Sequence, residues 1–204
     1  MARFNLQKIE QGNRFTLQKN LGLENIRVEL TWENGDLDAQ AWELGDEGLI
    51  VNDEGFVFYN SENRTEKFDR AKHGNKANYL KVTRPLSADG AVIGPKDELE
   101  GGIETINIDL AMVAPDVQEI IISATVYPGP EAKNFGDVRN GRITVIDENS
   151  GEPLCFYDLS SDFTTEDAMV VGSFTVNDSG DWEFEALGKG YNGGLQTLVE
   201  IYAS

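Results

Sequence analysis

From Ile26 to Glu33 the chain sets an apolar residue at every second position, so Ile26, Val28, Leu30 and Trp32 share one side of an extended strand. The same period returns at Phe15 and Leu17, and at Ile106, Ile108 and Leu110 between Thr105, Asn107 and Asp109. Phe56-Val57-Phe58-Tyr59 is a short aromatic run suited to burial on both faces, and Glu119 to Tyr127 is β-branched almost throughout, as a central strand would be. Two hairpins follow. One runs from Ile143-Thr144-Val145-Ile146 through Glu148-Asn149-Ser150-Gly151 into Leu154-Cys155-Phe156-Tyr157; the other runs from Met169–Val176 through Asn177-Asp178-Ser179-Gly180 into Trp182-Glu183-Phe184-Glu185. After Gly193-Gly194 the period changes: Leu195, Leu198, Val199 and Tyr202 fall at helical spacing, which predicts a short amphipathic helix against the sheet, with a final strand as the alternative. Many short strands with few helices predict a mainly β fold, an antiparallel β-sandwich of two sheets with a short C-terminal helix.

No linker divides the chain, so residues 1–204 are expected to form a single domain interrupted by one long polar loop at about 61–102. That loop holds Arg64, Lys67, Arg70, Lys72, Lys76, Lys81, Arg84 and Lys96, eight of the 17 Lys and Arg residues, and the only histidine, His73. Its basic half could dock on the acidic body or bind an anionic partner; a solvated excursion is the plainer alternative. The whole chain is acidic, with 36 Asp and Glu and a formal net charge of -19. Such a field repels phosphate backbones, so no nucleic-acid partner is expected, and cations or a basic protein surface fit better. Cys155 is the only cysteine, the start of the chain lacks the apolar run of a signal peptide, and no apolar stretch is long enough for a membrane span. A cytoplasmic protein is expected.

Asn34-Gly35 turns the chain after the Ile26 strand, and Asp36 and Asp38 then flank Leu37. In an extended backbone both carboxylates leave the same face, where they repel unless something positive lies between them. Calcium suits such a pair, because it accepts irregular loops and mixed carboxylate, amide and backbone oxygens. A solvated strand end is the common alternative. The EF-hand pattern does not apply: counted from Asn34, Ala39 and Gly45 stand where that loop needs Gly and Glu. Any calcium would therefore be held by loops of a β-structure.

Taken in order, Asp36-Leu37-Asp38-Ala39, Gly55-Phe56-Val57-Phe58-Tyr59-Asn60, Lys133-Asn134-Phe135-Gly136-Asp137-Val138, Tyr157-Asp158-Leu159 and Gly188-Lys189-Gly190-Tyr191-Asn192-Gly193-Gly194-Leu195 resemble the TerD family of tellurium-resistance and stress proteins. The resemblance spans nearly the whole chain. It implies a calcium-binding β-sandwich acting in resistance to tellurite and other stresses, without an established enzymatic activity. It also implies that Asp36 and Asp38 are metal ligands, with Asn60 as an amide ligand. The family's acidic Asp-Gly-Asp-Asp-Glu run is here Glu100-Gly101-Gly102-Ile103-Glu104, which leaves Glu100 and Glu104 as carboxylates. Asn34 stands where the family often has an Asp, which makes it a candidate ligand through its amide oxygen, without formal charge. The acidic loop before Asn-Phe-Gly is here Tyr127-Pro128-Gly129-Pro130-Glu131-Ala132. One weakened site, rather than a pair of ions, is expected, with a metal-free relative as the alternative.

Enzymatic readings find little support in these residues. His73 lies in a polar loop and is expected at the surface, and Cys155 beside Phe156 reads as a small core residue. Glu183 and Glu185 share a strand face, as the solvent side of any acidic strand would. The expected role is a non-enzymatic, calcium-stabilised or calcium-responsive interaction module whose partners are other stress-response proteins. The competing reading is a carbohydrate- or small-ligand-binding sandwich with structural calcium, in which Trp42, Tyr59, Trp182 and Tyr191 form a stacking platform. A metal-dependent hydrolase is a third.

Overall fold

The computed structural model describes residues 6–95, 102–159 and 164–203. Alternation folds as the sequence predicts, into two six-stranded sheets. The first contains β1 (Gln7–Lys8), β3 (Asn25–Thr31), β6 (Val92–Ile93), β7 (Ile103–Asp109), β9 (Arg142–Asp147) and β10 (Glu152–Asp158). Their spatial order is β1-β10-β9-β3-β7-β6. The second contains β2 (Arg14–Leu17), β4 (Asp36–Leu44), β5 (Phe56–Val57), β8 (Glu119–Tyr127), β11 (Ala168–Val176) and β12 (Trp182–Tyr191), in the order β2-β12-β11-β8-β4-β5. Only β1 against β10 is parallel among the described ladders.

The inner faces make the main core. Ile26, Val28 and Leu30 of β3, Ile106 and Ile108 of β7, and Ile143 and Val145 of β9 meet Leu37, Ala39 and Ala41 of β4 and Ile120, Ile122 and Ala124 of β8. Removing this apolar area from water is the main force holding the layers together. A second cluster covers the outer face of the second sheet. There the C-terminal helix α3 (Gly194–Tyr202) buries Leu198 and packs Leu195, Val199 and Tyr202 on Trp42, Ile121, Ala168 and Val170. The helical spacing read from the sequence is therefore the correct alternative. Trp42 also stacks on Phe56, with ring centroids 3.8 Å apart.

The stretch expected as one long polar loop is more ordered than that. Its described part carries helices α1 (Arg70–His73) and α2 (Lys76–Val82) as well as β6. Both helices begin at side-chain caps: Asp69 accepts from the backbone N–H of Ala71, and Asn75 from that of Asn78. His73, expected at the surface, is buried, with Phe68 and Tyr79 packed around its ring. Its Nδ1 accepts from Asp69 N–H at 2.9 Å. Arg64 is likewise internal: it donates to Thr83 Oγ1 and to the carbonyls of Tyr59, Leu80 and Thr83. Burial lowers the pKa of its guanidinium. Two basic or imidazole groups thus hold the insert together from within, half-buried Arg84 ties it to β7 by donating to Asn107 Oδ1 and the Thr105 carbonyl, and Lys67, Arg70, Lys72, Lys76 and Lys81 are exposed.

Candidate metal centre

The turn into β4 is fixed by Gly35, whose φ of +86° lies in the left-handed region. A side chain there would also strike Ala132, since a Cβ would come to 2.6 Å from the Ala132 methyl carbon. Trp32 Nε1 donates across the turn to the Gly35 carbonyl at 3.0 Å. Beyond the turn, Leu37 points into the core while Asp36 and Asp38 lie half-buried on the outer face, as their shared parity requires. They pair with Tyr127 and Thr125 of β8.

Glu104 reaches the same strand from the other sheet. It is 3% exposed, on the inward face of β7, and its Oε2 accepts from the backbone N–H of Ala39 at 2.6 Å. That bond joins a buried carboxylate to the residue beside Asp38. Asn60 is exposed and follows β5. The β5 ladder matches Ala41 to Val57, and extending this antiparallel register sets Asn60 level with Asp38, although the chain turns away after Val57. Glu100 lies outside the described residues.

Asn34 faces another neighbour. Its side chain donates to the carbonyl of Asp137 at 2.9 Å and accepts from Arg139 N–H at 2.8 Å, which staples the β3–β4 turn to the 131–139 segment. A pocket of about 580 Å3 lined by Glu33, Asn34, Glu131, Asp137 and Arg139 opens there. The expected ligands therefore divide: Asp36 and Asp38 share the outer face at the start of β4, Glu104 meets that strand at the Ala39 backbone, Asn60 follows the neighbouring strand, and Asn34 is engaged by the adjoining loop. Among the described residues no three or more of His, Cys, Asp and Glu gather closely enough to hold a metal. The oxygen-only donors suit calcium in kind, but a calcium ion here would need amide, carbonyl or water oxygens to complete its shell.

The other chemistry-bearing side chains serve the fold. Cys155 is fully buried, which pushes its thiol up to about 12. Glu183 is held below the usual carboxylate range by hydrogen bonds from Asn177 and Thr16, and Arg14 bridges it to Glu185. Trp42, expected as part of an exposed platform, is fully buried, and Trp182 packs toward a different cluster from Tyr191. Among the described residues no helix is long and apolar enough to cross a membrane.

Two apposed, mainly antiparallel β-sheets define the class: the chain is a β-sandwich protein, with an acidic strand start in its second sheet. The TerD domain family matches residues 6–202, and the chain belongs to that family. General stress protein 16U of Bacillus subtilis is 28% identical over 95% of each chain. Tellurium resistance protein TerD of Serratia marcescens is 29% identical over 95% of each. Chemical-damaging agent resistance protein B of Clostridium acetobutylicum is 30% identical over 76% of this chain and 97% of its own. The crystal structure of a TerD homologue from Streptomyces coelicolor shares the fold, with a TM-score of 0.60 at 19% identity, covering 87% of this chain and 95% of that one.

Proposed function

We propose that this protein is a non-enzymatic calcium-binding member of the tellurium- and chemical-stress-resistance family, acting as a calcium-stabilised interaction module in the cytoplasm. The observation that carries the reading is the start of β4, where Asp36 and Asp38 share a half-buried face and Glu104 bonds the backbone between them and Gln40. Asp36 and Asp38 would hold the ion, with Asn60 and Glu104 as the further oxygen donors of its shell. A bound calcium supplies positive charge that neutralises these carboxylates. The chain's part is to fix the two aspartates on one rigid strand, whose backbone Glu104 of β7 bonds at Ala39. Ordering these segments would present a surface to other stress-response proteins. The burial of Cys155 and His73 supports a binding role over nucleophilic catalysis.

Calorimetric titration tests the site. Calcium should bind the native chain and raise its melting temperature, and Asp36→Asn/Asp38→Asn should lose both effects. Stabilisation at a hundredfold excess over Kd would be about 2.7 kcal/mol. Calcium uptake unchanged by the double substitution would remove these residues as ligands. Capture of the same proteins from stressed-cell extract with and without calcium would remove the calcium-responsive role.

A further inference from the structure

Glu43 continues the inward parity of Leu37, Ala39 and Ala41, so β4 places a carboxyl group where its other inward residues are apolar. It is 1% exposed, and its Oε1 has no hydrogen-bond partner among the described residues. The group lies within hydrogen-bonding reach of Asp89 and Ser87, on the turn that leads out of the helical insert into β6. Asp89 organises that turn. Its Oδ1 accepts from Ser87 Oγ at 2.6 Å and from Ala91 N–H at 2.9 Å, and its Oδ2 accepts from Ala114 N–H at 2.8 Å, in the β7–β8 connection.

Ser87 is fully buried and has a single hydroxyl proton, which is committed to Asp89; its oxygen accepts from Val92 N–H at 3.0 Å. An ionised Glu43 would therefore face an ionised Asp89 with no donor left between them. A proton on Glu43 removes the repulsion and supplies the missing donor.

We propose that Glu43 and Asp89 form a proton-binding clasp, a carboxyl–carboxylate pair that shares one proton and fastens the Ser87–Ala91 turn and the loop at Ala114 onto β4. Loss of the proton places two negative charges together and loosens both segments. Burial pushes Glu43 up to about 8, with the charge of Asp89 next and that of Asp116 a smaller addition. The other charged groups nearby are also acidic: exposed Asp53 and Glu54 on the turn packed against β4, and half-buried Glu119 beside Leu44 at the start of β8. Because the folded-state value lies above the ordinary 4.5, the clasp is fully closed at acid pH and is lost as pH rises through about 8.

The test is a carbon-13 NMR titration of the side-chain carboxyl groups in the full chain. One Glu resonance should titrate near pH 8, disappear in Glu43→Gln, and move toward the ordinary carboxylate range in Asp89→Asn. Amide exchange at Ala91 and Ala114, corrected for its intrinsic pH dependence, should accelerate across the same midpoint in the native chain and stay flat in Glu43→Gln. If every Glu titrates in the ordinary range, the shared proton does not exist. If Glu43 titrates near 8 while the two amides respond identically in native protein and Glu43→Gln, the clasp is overturned. The second readout requires only Glu43→Gln, so it stands even if Asp89→Asn does not fold.

Discussion

At its start β4 carries Asp36 and Asp38 on the outer face, half-buried; near its end it carries Glu43 on the inner face, almost fully enclosed. Both groups are carboxylates on one strand with acidic neighbours, and the fold gives them different fates. The outer pair remains within reach of solvent, so an incoming cation can relieve its charge. The inner group has Asp89 and a committed serine hydroxyl before it, so the smallest cation, a proton, is the one that fits. Strand parity, through burial, sets how much solvent each carboxyl group meets and so how its charge can be relieved.

The largest expected effect comes from removing what lies between the ends. Trp42→Ala takes away a fully buried indole that stacks on Phe56 and donates to Ser123 Oγ at 2.8 Å; it should cost about 3–5 kcal/mol in urea unfolding. Glu43→Gln should abolish a pH dependence. In the native chain the Glu43 contribution to stability declines from the ordinary carboxylate range up to about pH 8, by at most about 1.4 kcal/mol per pH unit. Melting curves of the variant should lack this decline, and parallel curves would erase the contrast between the two ends. Glu104→Ala should cost about 1–3 kcal/mol in calcium-free buffer, because Ala39 N–H loses its acceptor, whereas Glu104→Gln should retain most of that stability. The smallest effect is expected at the outer pair: Asp36→Asn without calcium should stay within about 0.5 kcal/mol of native by chemical denaturation. A larger loss would mean that Asp36 is as structurally committed as Glu43.

Much of this arrangement was legible in residue spacing. Alternation placed Ile26, Val28 and Leu30 inward, turn residues marked both hairpins, and the Leu195-Leu198-Val199-Tyr202 spacing marked α3. The insert reads as loop because its composition is polar and its helices are short. Their signals were the capping residues Asp69 and Asn75, whose side chains bond the first helical turns. His73 reads as a surface residue for a related reason: Phe68 and Tyr79 enclose it only once those turns form. Glu43 could have been found from parity, as a charged residue continuing the Leu37, Ala39, Ala41 series. Its partner Asp89 could not, since local spacing does not show that the turn after the insert closes over β4. The same holds for Glu104 and Ala39, which come from different sheets and meet only through the packing of one on the other.

Among the described residues, β1, β6 and β5, at three of the four sheet edges, are each two residues long. So short a border offers an unfolded neighbour few free backbone groups along which to extend a cross-β stack. With a net charge of -19 opposing close approach, the native sandwich is poorly suited to seed aggregation when other proteins around it are losing their folds.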